Sequence, residues 1–189
     1  MSVSLLAAPA IEPVSLADLK AHVRVTGTDE DIGLVALTVA ARATVERLAH
    51  RYLITQSWRA YFDAIPPDGR LELPMFPVQS VIAVRTFSAS GVATVVPASA
   101  YQVDATSEPA RLQFADSVPQ PGRSMAGVEV DAVVGYGLTE DTVPPPLRQA
   151  VLLLAARWYD RRGDDSGTPD LPDEVARLTE AFRPRRLVA

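Results

Sequence analysis

The spacing of apolar residues changes period twice along this chain, and that double switch constrains the fold more than any single motif. Between residues 31 and 52, Leu34, Leu37, Ala41, Val45, Leu48 and Tyr52 recur at three- and four-residue steps, the signature of a helix. From 55 to 138 the repeat shortens to two and turn residues interrupt it, the signature of strands. From 145 the helical step returns with Leu147, Ala150, Val151, Leu154, Ala155 and Trp158. Helices, then strands, then helices is the order of an α+β fold in which a β-rich segment is inserted into a small helical bundle.

The first helical zone divides at Gly27. Ser15 is placed as an N-cap with Asp18 three residues on, a capping-box-like pair. Asp29, Glu30 and Asp31 put negative charge at the start of the next helix, where the dipole favours it. That second helix carries another stripe, Ile32, Val35, Val39 and Ala43, beside the first. Two stripes make an apolar face wider than a surface helix needs, so the helix is expected to pack against both a sheet and another helix, or against a neighbouring subunit.

In the strand zone, Trp58, Ala60, Phe62 and Ala64 alternate with Tyr61, Asp63 and Ile65. Pro66-Pro67-Asp68-Gly69 is a turn,. Short strands are expected at 71–73, 78–87, 92–96, 101–103, 111–114 and 128–134. Seven such strands fit an antiparallel sandwich or barrel-like region. Residues 116–127, with two Pro and two Gly, read as a mobile loop.

In the third zone Pro144-Pro145-Pro146 stops strand pairing and fits a helix start,. Residues 160–172 are charged and turn-rich, a linker. A last short helix is expected at 173–182, with Val175, Leu178 and Phe182 on one side. The expected domain organisation is therefore a flexible N-terminal arm (1–12), a domain over 13–162 (helices in 15–54 and 145–162, β insertion at 55–138), and a linker and tail over 163–189. The tail is expected to be disordered in the free chain and ordered on assembly.

Composition excludes several kinds of chemistry. The 189 residues include no Cys and two His, His22 and His50. Thiolate zinc sites, disulfides and Cys nucleophiles are therefore absent, and the His residues have no metal-ligand spacing. No P-loop or nucleophile-elbow motif occurs, and Gly135-Tyr136-Gly137 is a strand-ending turn rather than a dinucleotide fingerprint. The formal net charge of −5 lacks the basic footprint of non-specific duplex binding. No run reaches the apolar length of a membrane span, and residues 1–10 lack the basic region of a signal peptide. No enzymatic activity, metal or cofactor is expected.

Several stretches, in order, carry a family resemblance: PVSLADLKAHVRV at 13–25; Asp29-Glu30-Asp31; Ala40-Ala41-Arg42 with Val45-Glu46; Leu53-Ile54-Thr55-Gln56-Ser57-Trp58; Leu71-Glu72-Leu73-Pro74; and Pro77-Val78-Gln79-Ser80-Val81. Tyr101-Gln102-Val103-Asp104, Gly135-Tyr136-Gly137, Pro145-Pro146-Leu147-Arg148-Gln149-Ala150, Trp158-Tyr159 and Arg161-Arg162 follow. Over residues 13–162 the sequence resembles the head–tail connector, or adaptor, proteins of long-tailed bacteriophages and prophage-derived gene transfer agents.

The resemblance implies a structural protein of the particle neck. Such adaptors form a ring, usually of twelve subunits, between the portal and the stopper or tail-terminator protein, and DNA passes through the bore without sequence-specific binding. Assembly would take place in the bacterial cytoplasm. The family's C-terminal segment commonly engages the portal, which makes Phe182, Arg183, Arg185, Arg186, Leu187 and Val188 the candidate docking tail. Leu34, Leu37, Val45 and Trp158 are the candidate subunit-interface residues. The rival reading is a β-rich carbohydrate- or protein-binding module with helical flanks, whose aromatic platform would use Trp58, Tyr61 and Tyr101.

Overall fold

The computed structural model describes residues 2–162 and 171–184. These fall into two compact units: a β unit (residues 2–9 and 55–136) and a helical unit (residues 10–54, 137–162 and 171–184).

The β unit contains two open antiparallel sheets. Strands β1 (Ser2–Ala7), β2 (Gln56–Phe62), β4 (Val78–Phe87), β5 (Ala93–Val95) and β8 (Val128–Val134) form the larger sheet, in the order β1-β2-β8-β4-β5. Strands β3 (Arg70–Glu72), β6 (Tyr101–Asp104) and β7 (Arg111–Phe114) form the smaller sheet, in the order β3-β7-β6. Neither closes into the barrel that the strand spacing allowed. Strand β8, late in sequence, is central in space: it pairs with β2 and β4 along its whole length. Its Val128, Val130, Ala132 and Val134 are fully buried on one face. Ala60 of β2 and Val84 of β4 are buried with them.

Two expectations fail here, each for a local reason. The N-terminal arm is not loose: Ser2–Ala7 is strand β1, in register with β2 from Ser2↔Tyr61 to Ala7↔Ser57. Small uncharged residues gave no period strong enough to reveal it. The loop 116–127 is also held, by hydrogen bonds from its side chains and backbone. The Gln120 side chain accepts from the Ile65 N–H (3.1 Å) and donates to the Ile65 carbonyl (2.9 Å), as a strand partner does. The Ala126 N–H donates to the Asp63 carboxylate at 2.8 Å, and the Gly122 N–H donates to the Phe87 carbonyl at 2.9 Å. A Cβ on Gly122 would sit 2.5 Å from the Ala89 nitrogen, so the loop lies too close to its neighbour for any other residue.

The helical unit comprises α1 (Leu16–Val23), α2 (Asp31–Ala49), α3 (Pro145–Asp160) and α4 (Asp173–Glu180). Ser15 caps α1 as expected, accepting from the Asp18 N–H at 3.0 Å. Lys20, the only lysine, ties α1 to α2 by donating to the Gly27 carbonyl and to Asp31, both at 2.6 Å. Leu34, Ala41, Val45 and Ala49 of α2 meet Leu147, Ala150, Val151 and Leu154 of α3 in the core, all at most 1% exposed. Helix α4 packs on α2 and α3. Its Val175 and Thr179 are fully buried, with the Thr179 hydroxyl donating to the Val175 carbonyl at 2.9 Å. The expected disorder of the tail therefore does not extend to 171–184.

Polar groups inside the helical unit are matched. The Arg42 guanidinium lies between Glu12 (2.7 Å) and Glu46 (2.9 Å). Glu46 also accepts from the Leu53 N–H at 2.9 Å, which fixes the chain leaving α2. Burial, with Glu46 close by, pushes the Tyr52 hydroxyl up to about 12.

Candidate assembly surface

Helix α2 buries one of its two apolar stripes and exposes the other. Ile32 is 89% exposed, Val35 44% and Val39 40%, and Ala36 and Ala43 continue the row. Successive steps of three, one, three and four keep these residues on one face. β-Branched residues are poorer helix formers than alanine or leucine, so local stability does not explain them. A contiguous uncovered apolar row is a candidate contact surface.

This changes the reading of the expected interface residues. Leu34 and Val45 are fully buried in their own chain's core, because α3 and α4 occupy the face they project from. They are not free for a neighbour. Leu37 is partly exposed and Trp158 half-buried. Leu37 lines a groove of about 490 Å³ with Asp29, Glu30, Gly33, Tyr159 and Arg162. There Arg162 donates to Glu30 at 3.1 Å and stacks 4.0 Å over the Tyr159 ring. The Tyr159 hydroxyl, with Arg162, holds the Glu30 carboxyl below its ordinary range.

Of the expected docking tail, Phe182 and Arg183 are described, whereas Arg185, Arg186, Leu187 and Val188 lie outside the described residues. The Phe182 carbonyl accepts from the Arg51 side chain at 2.6 Å. The Arg183 side chain donates to the Leu48 carbonyl, in the last turn of α2, at 2.9 Å. A cation at a helix C-terminus is favourably placed, and these contacts fasten the end of α4 to α2.

In the β unit, the face of the large sheet opposite its apolar core carries charge. Register places Arg59 beside Asp131 and Arg85 beside Glu129. Asp131 is 4% exposed and accepts from Arg59 at 2.6 Å and from Arg85 at 2.7 Å. Burial alone would raise its pKa, but the two guanidiniums outweigh this and hold the carboxyl below its ordinary value. Arg59 also reaches Glu129 at 3.2 Å. Opposite charges thus neutralise one another and leave no basic track for phosphates.

The three aromatics of the rival reading do not form a platform. Trp58 and Tyr61 lie on opposite faces of β2, as strand alternation requires. The Trp58 ring N–H donates to Gln56 at 2.9 Å, and Tyr61 hydrogen-bonds Ser4 at 3.0 Å. Tyr101 belongs to the other sheet and packs on Phe114, 6.2 Å between ring centres. His22 and His50 are exposed, on α1 and at the end of α2. Among the described residues, no cluster of His, Cys, Asp or Glu is able to hold a metal ion, and no helix is long and apolar enough to cross a membrane.

No protein-family model matches the chain, and no curated protein matches it. Solved structures do. The chain is similar to one in the neck of an empty gene transfer agent particle computed with C6 symmetry, with a TM-score of 0.82, 29% identity, and coverage of 100% of this chain and 98% of that one. It is similar to one in the virion of a native gene transfer agent particle (TM-score 0.81, 29% identity, the same coverage). It is also similar to one in the neck of a native particle computed with C12 symmetry (0.80, 28%, the same coverage).

Proposed function

We propose that this chain, a head–tail connector protein of the gene transfer agent neck, is the adaptor of that neck: a ring subunit that joins the portal to the stopper or tail-terminator protein. The observation that carries this reading is the match over the whole chain, with both units included, to chains of such necks at TM-scores of 0.80–0.82. Sixfold and twelvefold symmetry in those necks supports a ring of twelve copies. Cyclic rings are closed by heterologous contacts, one face of a subunit meeting a different face of the next. The exposed row Ile32, Val35 and Val39 of α2 is a surface that such a contact covers, and Leu37 flanks it.

The role is structural rather than catalytic. DNA passes through the bore without being read. The net charge of −5 and the neutralised charged face of the large sheet suit a conduit, since a strongly basic wall would retain phosphates. The residues after Pro184 remain the segment proposed to dock on the portal, with Arg185 and Arg186 for acidic groups and Leu187 and Val188 for an apolar seat.

The test is co-purification with the portal protein of the same particle, with ring symmetry read by electron microscopy. The full chain is expected to form a twelvefold ring on the portal. A chain ending at Pro184 is expected to keep its fold and lose the portal. A shortened chain that still binds would move the portal contact into the helical unit. A full chain that neither forms a ring nor binds would overturn the adaptor reading.

A further inference from the structure

The large sheet ends in two uncharged strands, β1 with a register shift between Leu5 and Ala7 and β5 of three residues. Among the described residues, strand β1 pairs only with β2, and β5 only with β4. Natural sheets usually guard such edges with Lys, Pro, inward charges or a cover. Here β1 reads SVSLLA and β5 reads ATV between Val92 and Val96, with no charged residue and no proline in either. Val3 is 39% exposed, Leu5 49%, Val92 64% and Val95 61%.

The free backbone groups of β5 can be assigned. The Ser88 N–H donates to the Val92 carbonyl at 3.0 Å and the Val96 N–H to the Val84 carbonyl at 2.9 Å. Thr94 lies opposite Thr86, between those two pairs. In an antiparallel ladder, hydrogen-bonded and non-bonded pairs alternate. Thr94 therefore bonds inward to β4, and the N–H and C=O of Ala93 and Val95 point out of the sheet.

Strand direction then decides what can pair with them. All four junctions in β1-β2-β8-β4-β5 are antiparallel, so four reversals leave β1 and β5 running in the same sense. A rotation about a ring axis preserves each strand's sense along that axis. We infer that the β5 edge of one subunit pairs in parallel with the β1 edge of the next, joining the five-stranded sheets of neighbouring copies. This rests on the ring reading above and names a surface for it in the β unit. The two edges match in their lack of charge, the three residues of β5 falling within the six-residue length of β1. They are different surfaces, as a head-to-tail ring requires. Self-pairing of like edges would instead be antiparallel and would stop at a dimer.

The chain contains no Cys, so an engineered pair reports without background. Strands about 4.8 Å apart bring facing residues within disulfide reach. Leu5→Cys with Val95→Cys in one chain, and Val3→Cys with Val95→Cys, sample two registers. Each is oxidised after ring assembly on the portal and run on a non-reducing gel. At least one double variant is expected to give a ladder of covalent oligomers, with the single variants staying monomeric. Val95→Pro removes an outward N–H while sparing the bonds to β4. It is expected to keep the wild-type melting temperature and lose the ring. A wild-type ring with no ladder from either pair, dimers from a single variant, or a ring that survives Val95→Pro would overturn this inference alone. A wild-type chain that forms no ring would overturn the adaptor reading and this inference together.

Discussion

Asp131 and Tyr52 give the two units opposite responses to pH. Asp131 is held below its ordinary pKa by Arg59 and Arg85. A carboxylate with a depressed folded pKa stabilises above its unfolded value, near 3.9, and loses that contribution as pH falls through the folded pKa. Asp131→Asn is expected to cost about 2 kcal/mol at pH 7, the range for charge-assisted hydrogen bonds, because its partners Arg59 and Arg85 keep part of their hydration. The difference from wild type should shrink below about pH 4, checked by urea unfolding at both pH values. Tyr52 behaves the other way. Its hydroxyl is raised to about 12, so the neutral form's contribution is present below pH 10 and lost as pH rises from 10 to 12. Tyr52→Phe should flatten that alkaline loss in a denaturation series followed by helical circular dichroism. Nothing along the chain singles out Asp131, because a carboxylate on a strand reads as a solvent-facing residue until its cross-strand partners are known.

At the scale of the element, α2 separates a buried stripe from an exposed one. Leu34 is fully buried and Ile32 is almost fully exposed, only two positions away. Leu34→Ala should destabilise the isolated chain by about 3 kcal/mol through the cavity it leaves. Ile32→Asp should change its stability by no more than about 0.5 kcal/mol, yet weaken ring formation. Thermal melts and electron microscopy of the two variants separate these outcomes. Both stripes of α2 were legible from three- and four-residue spacing, as were the start of α3 and the bounds of β4, β7 and β8. Which stripe faced inward was not. That depended on where α3 and α4 packed, and periodicity along one helix holds no information about the others. The loop 116–127 makes the same point: its Gly and Pro read as freedom, whereas Gln120 and Asp63 hold it. Gln120→Ala is expected to raise amide exchange at Ile65 at least tenfold, measured by mass spectrometry, as one well-placed hydrogen bond is lost.

At the scale of the whole molecule, α4 changes what a C-terminal truncation means. Ending the chain at Arg162 removes Val175 and Thr179 from the core of the helical unit. Burial of Val175 alone is worth about 2 kcal/mol, so that variant should melt lower than wild type, whereas a chain ending at Pro184 should melt with it. A calorimetric scan of the three chains checks this, and only the shorter deletion reports cleanly on the portal contact. The sequence by itself determined the order of helices and strands, because periodicity is local and each element's pattern lies within its own residues. It also determined the resemblance to neck connectors, which resides in the order of short segments. Only the tertiary structure decided that β8 is central, that residues 2–7 form an edge strand, and that Leu34 and Val45 are core while Ile32, Val35 and Val39 remain uncovered. Burial and strand pairing are relations between segments far apart in the chain, and what lies opposite a residue is settled only when those segments meet.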